Sequence, residues 1–288
     1  MKTQPFPRAC PTAVSSAFGA TVVPFRPRTA PPDSGLVRFH TRPKAQLRLF
    51  CFPWSGAGAS AYRSHAEAIP AEIEMVGIQF PGRGTRRAEP TRTELQPLAR
   101  QIADAIRADL DASPSRYAVL GHSYGSLLAY ETVRLLQAAG LSPELAIMSG
   151  SRAPSVAPHT LLHRLDDVEL ARQLGRMGGL SPDRLRDPSF LDYLLPIVRS
   201  DLTACETAPP AAAPLHCPLT SWSGDQDWYA RPSDVTAWRR YAGFAYRHVD
   251  FTGDHFFIND IPAAIAALLA DLDWARQLTE SAYELAAA

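Results

Sequence analysis

The chain lacks a surplus of either charge. Its 29 Lys and Arg balance 29 Asp and Glu at a formal net charge of zero, which removes any global attraction to nucleic acid or to an anionic membrane. It also lacks an apolar run of 18 residues, so no membrane span is expected. Cysteine is scarce. Cys10, Cys51, Cys205 and Cys217 stand far apart with no CxxC or Cys/His ligand spacing, and Cys51 and Cys217 sit in or beside apolar runs, as small hydrophobes do. A reducing cytoplasm is the expected setting, with no metal. The first 33 residues hold one acidic side chain, Asp33, against seven prolines, and closely spaced prolines oppose both helix and central strand. Ala13 to Val23 is too weakly apolar to serve as the core of a signal peptide. Residues 1–35 are therefore expected to be a disordered tail.

What is present is enough apolar material for one large core, at 46% hydrophobic residues over 288 positions. From Leu47 the chain alternates. "LRLFCF", "EMVGIQF", "RYAVL" and "ELAIMS" are apolar throughout, as strands buried on both faces are. Between them lie helical patterns. Leu95, Leu98, Ile102, Ile106 and Leu110 recur at spacings of three and four, which makes one apolar helix face. This rhythm predicts an α/β fold with a mostly parallel sheet and helices on both faces. Between about 151 and 210 it breaks into short helical segments without a strand, which reads as a lid inserted before the last strands. The domain is thus expected over 36–288.

At 119–131, "VLGHSYGSLLAYE" sets Ser123 between two glycines where a strand pattern gives way to a helix pattern. Serine is a favoured helix N-cap. The same residues fit G-x-S-x-G, the strained turn that presents a nucleophile at the carboxyl end of a strand. A serine hydroxyl needs a base, and the base an orienting acid. In this fold order the acid follows the serine and the histidine comes last. The last two strand patterns end in "SWSGDQDW" and "DFTGDHFFIND", which offer Asp225 or Asp227 as acid and His255 as base. Backbone donors for a tetrahedral oxyanion are expected at Tyr124, after the nucleophile, and at Ser55, in the glycine-rich "CFPWSGAGAS" after an early strand.

These segments, with "GIQFPGRGTRR", "SGSRAP" and "LSPDRLRDPSFLDYLLPIVRSDLTACETA", resemble in order the type II thioesterases of polyketide and nonribosomal peptide assembly lines, stand-alone enzymes of the α/β-hydrolase fold. The resemblance spans roughly 36 to 275. It implies Ser123 as nucleophile, His255 as base and Asp227 as acid, counted from Gly224. It also implies hydrolysis of acyl-thioesters carried on the phosphopantetheine arm of acyl or peptidyl carrier proteins, with no cofactor of the enzyme's own, by a monomer. Two departures flank the oxyanion site. Trp54-Ser55-Gly56-Ala57 stands where the family commonly has His-Ala-Gly-Gly, and Tyr124 where it has Met or Leu. The same triad would also suit an esterase or acyltransferase, and a non-catalytic binding protein on this fold would ordinarily lack a triad member. Carrier proteins of this kind tend to be acidic, and Arg83, Arg86, Arg87 and Arg92 fall within ten residues. They are read either as a solvated loop face or as a docking surface that speeds encounter.

Overall fold

A computed structural model describes residues 34–209 and 213–287, with side chains to residue 281. Residues 1–33 of the expected disordered tail, Cys10 among them, fall outside these residues. In chain order the elements are β1 (Leu36–Arg38), β2 (Leu47–Phe52), α1 (Arg63–Ala68), β3 (Ile73–Ile78), α2 (Leu95–Ala112), β4 (Arg116–His122), α3 (Tyr124–Ala138) and β5 (Leu145–Ser149). Then follow α4 (Asp167–Arg176), α5 (Pro182–Leu185), α6 (Pro188–Glu206), β6 (Pro218–Gly224), α7 (Pro232–Thr236), β7 (Ala245–Phe251) and α8 (Ile261–Ala287). The strands form one sheet in the order β1-β3-β2-β4-β5-β6-β7. All neighbours run parallel except β1, which pairs antiparallel with β3. No described helix is long and apolar enough to cross a membrane.

The mostly parallel sheet with helices on both faces is as the alternation predicts. Period-two alternation divides its side chains. Phe50, Phe52, Val76, Val119, Ala146 and Met148 face α2 and α3, together with Leu98, Ile102 and Ile106 of the predicted helix stripe. Leu49, Cys51, Met75, Leu120, Ile147 and Trp222 face α8 and α1 on the other side. Both faces of the central strands are buried, so β2, β4 and β5 carry mostly apolar side chains on either side, while edge strand β7 is half-buried and polar. β1 was not foreseen. Three residues are too few to carry a periodicity, and its place is set by the ladder that β3 offers.

Between β5 and β6 the described residues hold helices and no strand. α4, α5 and α6 begin at Asp166, Ser181 and Asp187, each of which accepts a hydrogen bond from a backbone N–H in the first turn, satisfying donors that would otherwise be orphaned. Leu162, Leu170, Met177, Leu194, Leu195, Val198 and Leu202 make a separate apolar cluster for this insertion. Leu174, Trp228 and Phe256 pack against it, which brings the insertion over the ends of β6 and β7.

The order of strands decides where a site can form. After β2 the chain turns to one side of the sheet for β3, and after β4 it turns to the other for β5. α1 and α3 accordingly pack on opposite faces. The loops leaving β2 and β4 therefore diverge and leave a crevice at the carboxyl edge, the place where open α/β sheets bind ligands.

Candidate active site

Ser123 occupies the junction of β4 and α3 with φ 54° and ψ −121°, and it is the one non-glycine residue described at positive φ. Such a conformation costs on the order of 1–3 kcal/mol. Neighbours enforce it. The Ser123 N–H donates to the Ser149 carbonyl at 2.8 Å, and the Ser126 hydroxyl reaches the carbonyls of Gly121 and Ser149 at 2.8 and 2.9 Å. A Cβ on Gly121 would lie 2.4 Å from the Gly125 carbonyl oxygen, and one on Gly125 would lie 2.1 Å from that of Phe52. Both glycines are thus required by close backbone approach. Ser123 holds the N-cap position of α3, yet its side chain caps nothing. Its Oγ lies 2.9 Å from His255 Nε2 instead.

His255 lies four residues beyond the end of β7 and is buried. Its Nδ1 is 2.7 Å from Asp227 Oδ2. Asp227, also buried, follows β6, and its Oδ1 accepts the N–H groups of Tyr229 and Ala230, each at 2.9 Å. The carboxylate is thereby held with one oxygen toward the imidazole. Asp225 is exposed, and its Oδ1 accepts the Gly253 N–H at 2.8 Å. It ties the two loops together at the surface. The structure therefore brings Ser123, His255 and Asp227 into one hydrogen-bonded line and leaves Asp225 outside it.

His122 fills the first variable position of G-x-S-x-G, where the pattern asks for no particular side chain. Fully buried at the end of β4, it faces Ser149 Oγ through Nδ1 at 2.9 Å, and its Nε2 lies 3.0 Å from the His255 carbonyl. Donation from Nε2–H fixes one neutral tautomer and holds the His255 backbone. No local signal could reveal this, because the partner is 133 residues away. Burial, with the neighbouring His255, holds His122 well below the usual imidazole range of 6.5. His65 on α1 is lowered too, chiefly by burial. Its Nε2 meets the Ile258 carbonyl at 2.9 Å, and its buried Nδ1 has no partner among the described residues.

Both imidazoles stay neutral in the native state while the unfolded chain takes up protons below its ordinary value. The stability these two histidines contribute is therefore complete above pH 6.5 and falls as the pH drops below it, by up to about 1.4 kcal/mol per pH unit for each until its native value is reached. Asp271, whose carboxyl is raised to about 6 by burial, offsets this in part. Thermal melts at about pH 7.5 and about pH 5.5 will show a lower Tm in acid, with a smaller drop in His65→Gln. Equal drops in wild type and variant would contradict this account.

In the loop after β2 the Gly56 N–H donates to Asp201 Oδ2 at 2.8 Å and the Ala57 N–H to the Trp54 carbonyl at 3.0 Å. These two amides are engaged, whereas the Ser55 amide before them has no hydrogen-bond acceptor among the described residues. Tyr124 opens α3, where an N–H has no intrahelical acceptor. Its ring packs edge-on against Phe80 at 5.6 Å, and its hydroxyl is buried without a partner among the described residues. The Trp54 ring meets His122 and Phe256 edge-on, at 5.7 and 5.5 Å. Trp54, Ser55, Leu180, Leu194, Val198 and Phe256 line a cavity of about 180 Å³ beneath the lid. Larger hollows of about 450 and 440 Å³ lie between α2 and α6 and among α4, α5 and α6, away from Ser123.

The arginine reading needs correction. Arg83 and Arg86 are buried. Arg83 pairs with Asp201 at 2.5 Å, and Arg86 pairs with Glu89 at 2.6 Å and donates to the Gln79 carbonyl. Neither can meet a partner's acidic surface, and reversing the charge of Arg86 would disturb the fold before it touched docking. Arg87 and Arg92 remain exposed. Charge spacing along a loop carries no information about partners that lie far off in sequence.

A family model described as thioesterase domain matches residues 47–272. Thioesterase PikA5 of Streptomyces venezuelae is 38% identical over 232 residues, spanning 79% of this chain and 82% of that one. Among solved structures, the RedJ thioesterase of the prodiginine pathway in Streptomyces coelicolor superimposes with a TM-score of 0.73 at 35% identity, covering 85% of this chain and 91% of that one. BorB, the type II thioesterase of the borrelidin biosynthetic cluster, does so at 0.75 with 30% identity, covering 83% and 98%. The matched span runs from β2, through the Ser123 elbow and the Asp227 and His255 turns, into α8, and the chain belongs to the type II thioesterases, thioester hydrolases of the α/β-hydrolase fold.

Proposed function

We propose that this enzyme clears acyl groups from the phosphopantetheine arm of acyl or peptidyl carrier proteins in a polyketide or nonribosomal peptide pathway, acting as a cytoplasmic monomer with Ser123, His255 and Asp227 as its triad. The observation that carries the reading is the single imidazole of His255, hydrogen-bonded at once to Ser123 Oγ and Asp227 Oδ2. His255 Nε2 takes the Ser123 proton as Oγ attacks the thioester carbonyl. The oxyanion is met by the amides of Ser55 and Tyr124, each worth about 3–4 kcal/mol to the transition state. Collapse of the tetrahedral intermediate breaks the C–S bond, the departing sulfur takes the proton from His255 Nε2, and an acyl-serine is left. His255, neutral again, takes a proton from a water that attacks the same carbonyl and returns it to Ser123 Oγ as the C–O bond breaks and the acid departs. Asp227 keeps the proton on Nδ1 and stabilises the imidazolium formed in each half-reaction.

The lid cavity supports an acyl chain as the ligand. Leu180, Leu194, Val198 and Phe256 wall it beside Ser55, so the chain is sheltered while the carbonyl meets the amides. The carrier-protein role draws support from the pathways named for this chain's structural neighbours RedJ and BorB. The test is direct. An acylated holo-carrier protein, an acyl-pantetheine and the matching oxygen ester are offered to the enzyme, and the carrier is weighed by mass spectrometry. Hydrolysis of the carrier-bound thioester at a kcat/KM well above that of the oxygen ester is expected. Faster turnover of the oxygen ester, or transfer of the acyl group to an added alcohol in preference to water, would favour an esterase or acyltransferase instead.

A further inference from the structure

Asp201 lies on lid helix α6 and is almost fully buried, as is Arg83 in the loop after β3. Their pairing is bidentate, with Nη1 to Oδ2 at 2.5 Å and Nη2 to Oδ1 at 2.7 Å. Taking two charges out of water is costly, and such a pair is by itself weak support for a fold. Its remaining bonds are more informative. Asp201 Oδ2 also accepts the Gly56 N–H at 2.8 Å, and Arg83 Nη1 donates to the Ala57 carbonyl at 3.3 Å. Both groups belong to the residues directly after Ser55. α6 also packs straight onto this loop. Gly56 has φ +79°, and a Cβ there would stand 2.6 Å from Val198 Cγ2 and 3.0 Å from Leu194 Cδ1.

From this geometry we infer that Arg83 and Asp201 are positioning residues for the Ser55 amide, so that the oxyanion donor and lid helix α6 are held as one unit. The inference rests on the reading of Ser55 as a donor. The ion pair fixes the peptide planes on the carboxyl side of Ser55 from two directions, one through an N–H and one through a C=O. A donor displaced by a fraction of an ångström loses much of its effect on the transition state and little on the ground state. The pair should therefore act on kcat and leave KM nearly alone. Because its acid rides on the lid, a substrate that lifts α6 also loosens the oxyanion loop, and chemistry is coupled to lid closure.

The experiment compares the wild type with Arg83→Met/Asp201→Leu, which removes both charges together and leaves no unpaired ion, and with Asp201→Asn, which keeps one acceptor for Gly56. Two ligands separate the effects. An alkylboronic acid forms a B–O bond to Ser123 Oγ while the hydroxyl proton passes to His255, and the tetrahedral anion presents an oxygen to the oxyanion amides. The matching alkyl thioether of pantetheine fills the same cavity with no such oxygen. The double variant should bind the boronic acid about ten- to a hundredfold more weakly and lose kcat in the same proportion, with Asp201→Asn between it and wild type, since removing a donor outright costs about a hundred- to a thousandfold. Thioether affinity and KM should stay within about threefold. Should the double variant fail to fold by near-ultraviolet circular dichroism, Asp201→Asn decides alone. Boronic acid affinity and kcat within twofold of wild type, or a parallel loss of thioether affinity, would overturn the inference. If Ser123→Ala binds the boronic acid as well as wild type does, the reading of the site has failed, and the inference fails with it.

Discussion

Ser123→Ala is expected to abolish the acyl-enzyme and to lower thioester hydrolysis by roughly five to six orders of magnitude, the scale of losing a triad nucleophile outright. The loss is this large because the remaining groups act as a unit. On the proposed mechanism, without Oγ the His255 imidazole would have no hydroxyl to deprotonate, and what would remain is binding and the oxyanion amides acting on a water. The fold should be little affected. Ser123 contributes one buried side-chain hydrogen bond, to His255 Nε2 at 2.9 Å, and alanine keeps the backbone that the Ser149 carbonyl and the two close-packed glycines already impose. Alanine does not relieve the strain at φ 54°, so no gain in stability is expected from it. Intact-mass spectrometry after brief exposure to an acyl-thioester should show an acyl adduct on wild type and none on the variant. Turnover by the variant within tenfold of wild type would remove Ser123 from the mechanism.

Asp227→Asn should cost about four orders of magnitude in kcat, while Asp225→Asn should change it by less than a few-fold. The direction follows from the hydrogen bonds. Asp227 Oδ1 accepts two backbone N–H groups, from Tyr229 and Ala230. An asparagine at this position must put its carbonyl oxygen there, because an amide nitrogen has no acceptor to offer them. Its NH₂ then replaces Oδ2 and donates to His255 Nδ1. The imidazole must accept at Nδ1 and carry its proton on Nε2, the wrong tautomer for taking a proton from Ser123. The variant should remain folded, since both amides stay satisfied. Asp225 serves only the surface turn through the Gly253 N–H. Steady-state kinetics on one acyl-thioester with both variants checks the pair, and equal or reversed effects would move the acid to Asp225.

The choice between these two aspartates shows how far the residues alone carry the argument. They stand two apart in one loop after one strand, with glycine before them. Nothing local separates them, and it was the resemblance to a family that favoured Asp227. In the folded chain the difference is large. One carboxylate is buried among amides and faces an imidazole, and the other is exposed. The arginines of the loop after β3 show the reverse. Four cations in ten residues suggest a charged surface, yet Arg83 is neutralised by a carboxylate 118 residues later.

The sequence by itself determined the alternation of strand and helix, because each element's burial is written in its own periodicity. The central strands are mostly apolar, the α2 stripe recurs every three or four residues, and β6 spans the seven residues of "PLTSWSG". It also marked the candidate residues Ser123 and His255 at their strand ends, since glycines flanking a serine and a histidine after a Gly-Asp turn are local features. The tertiary structure decided everything that depends on pairing across long separations. It admitted the three-residue β1 to the sheet, set His122 behind His255, took Arg83 and Arg86 out of solvent, and seated lid residue Asp201 on the Gly56 amide 145 residues away. The physical reason is the same in each case. Periodicity records which way a side chain faces, and only the packed chain fixes which group it meets there.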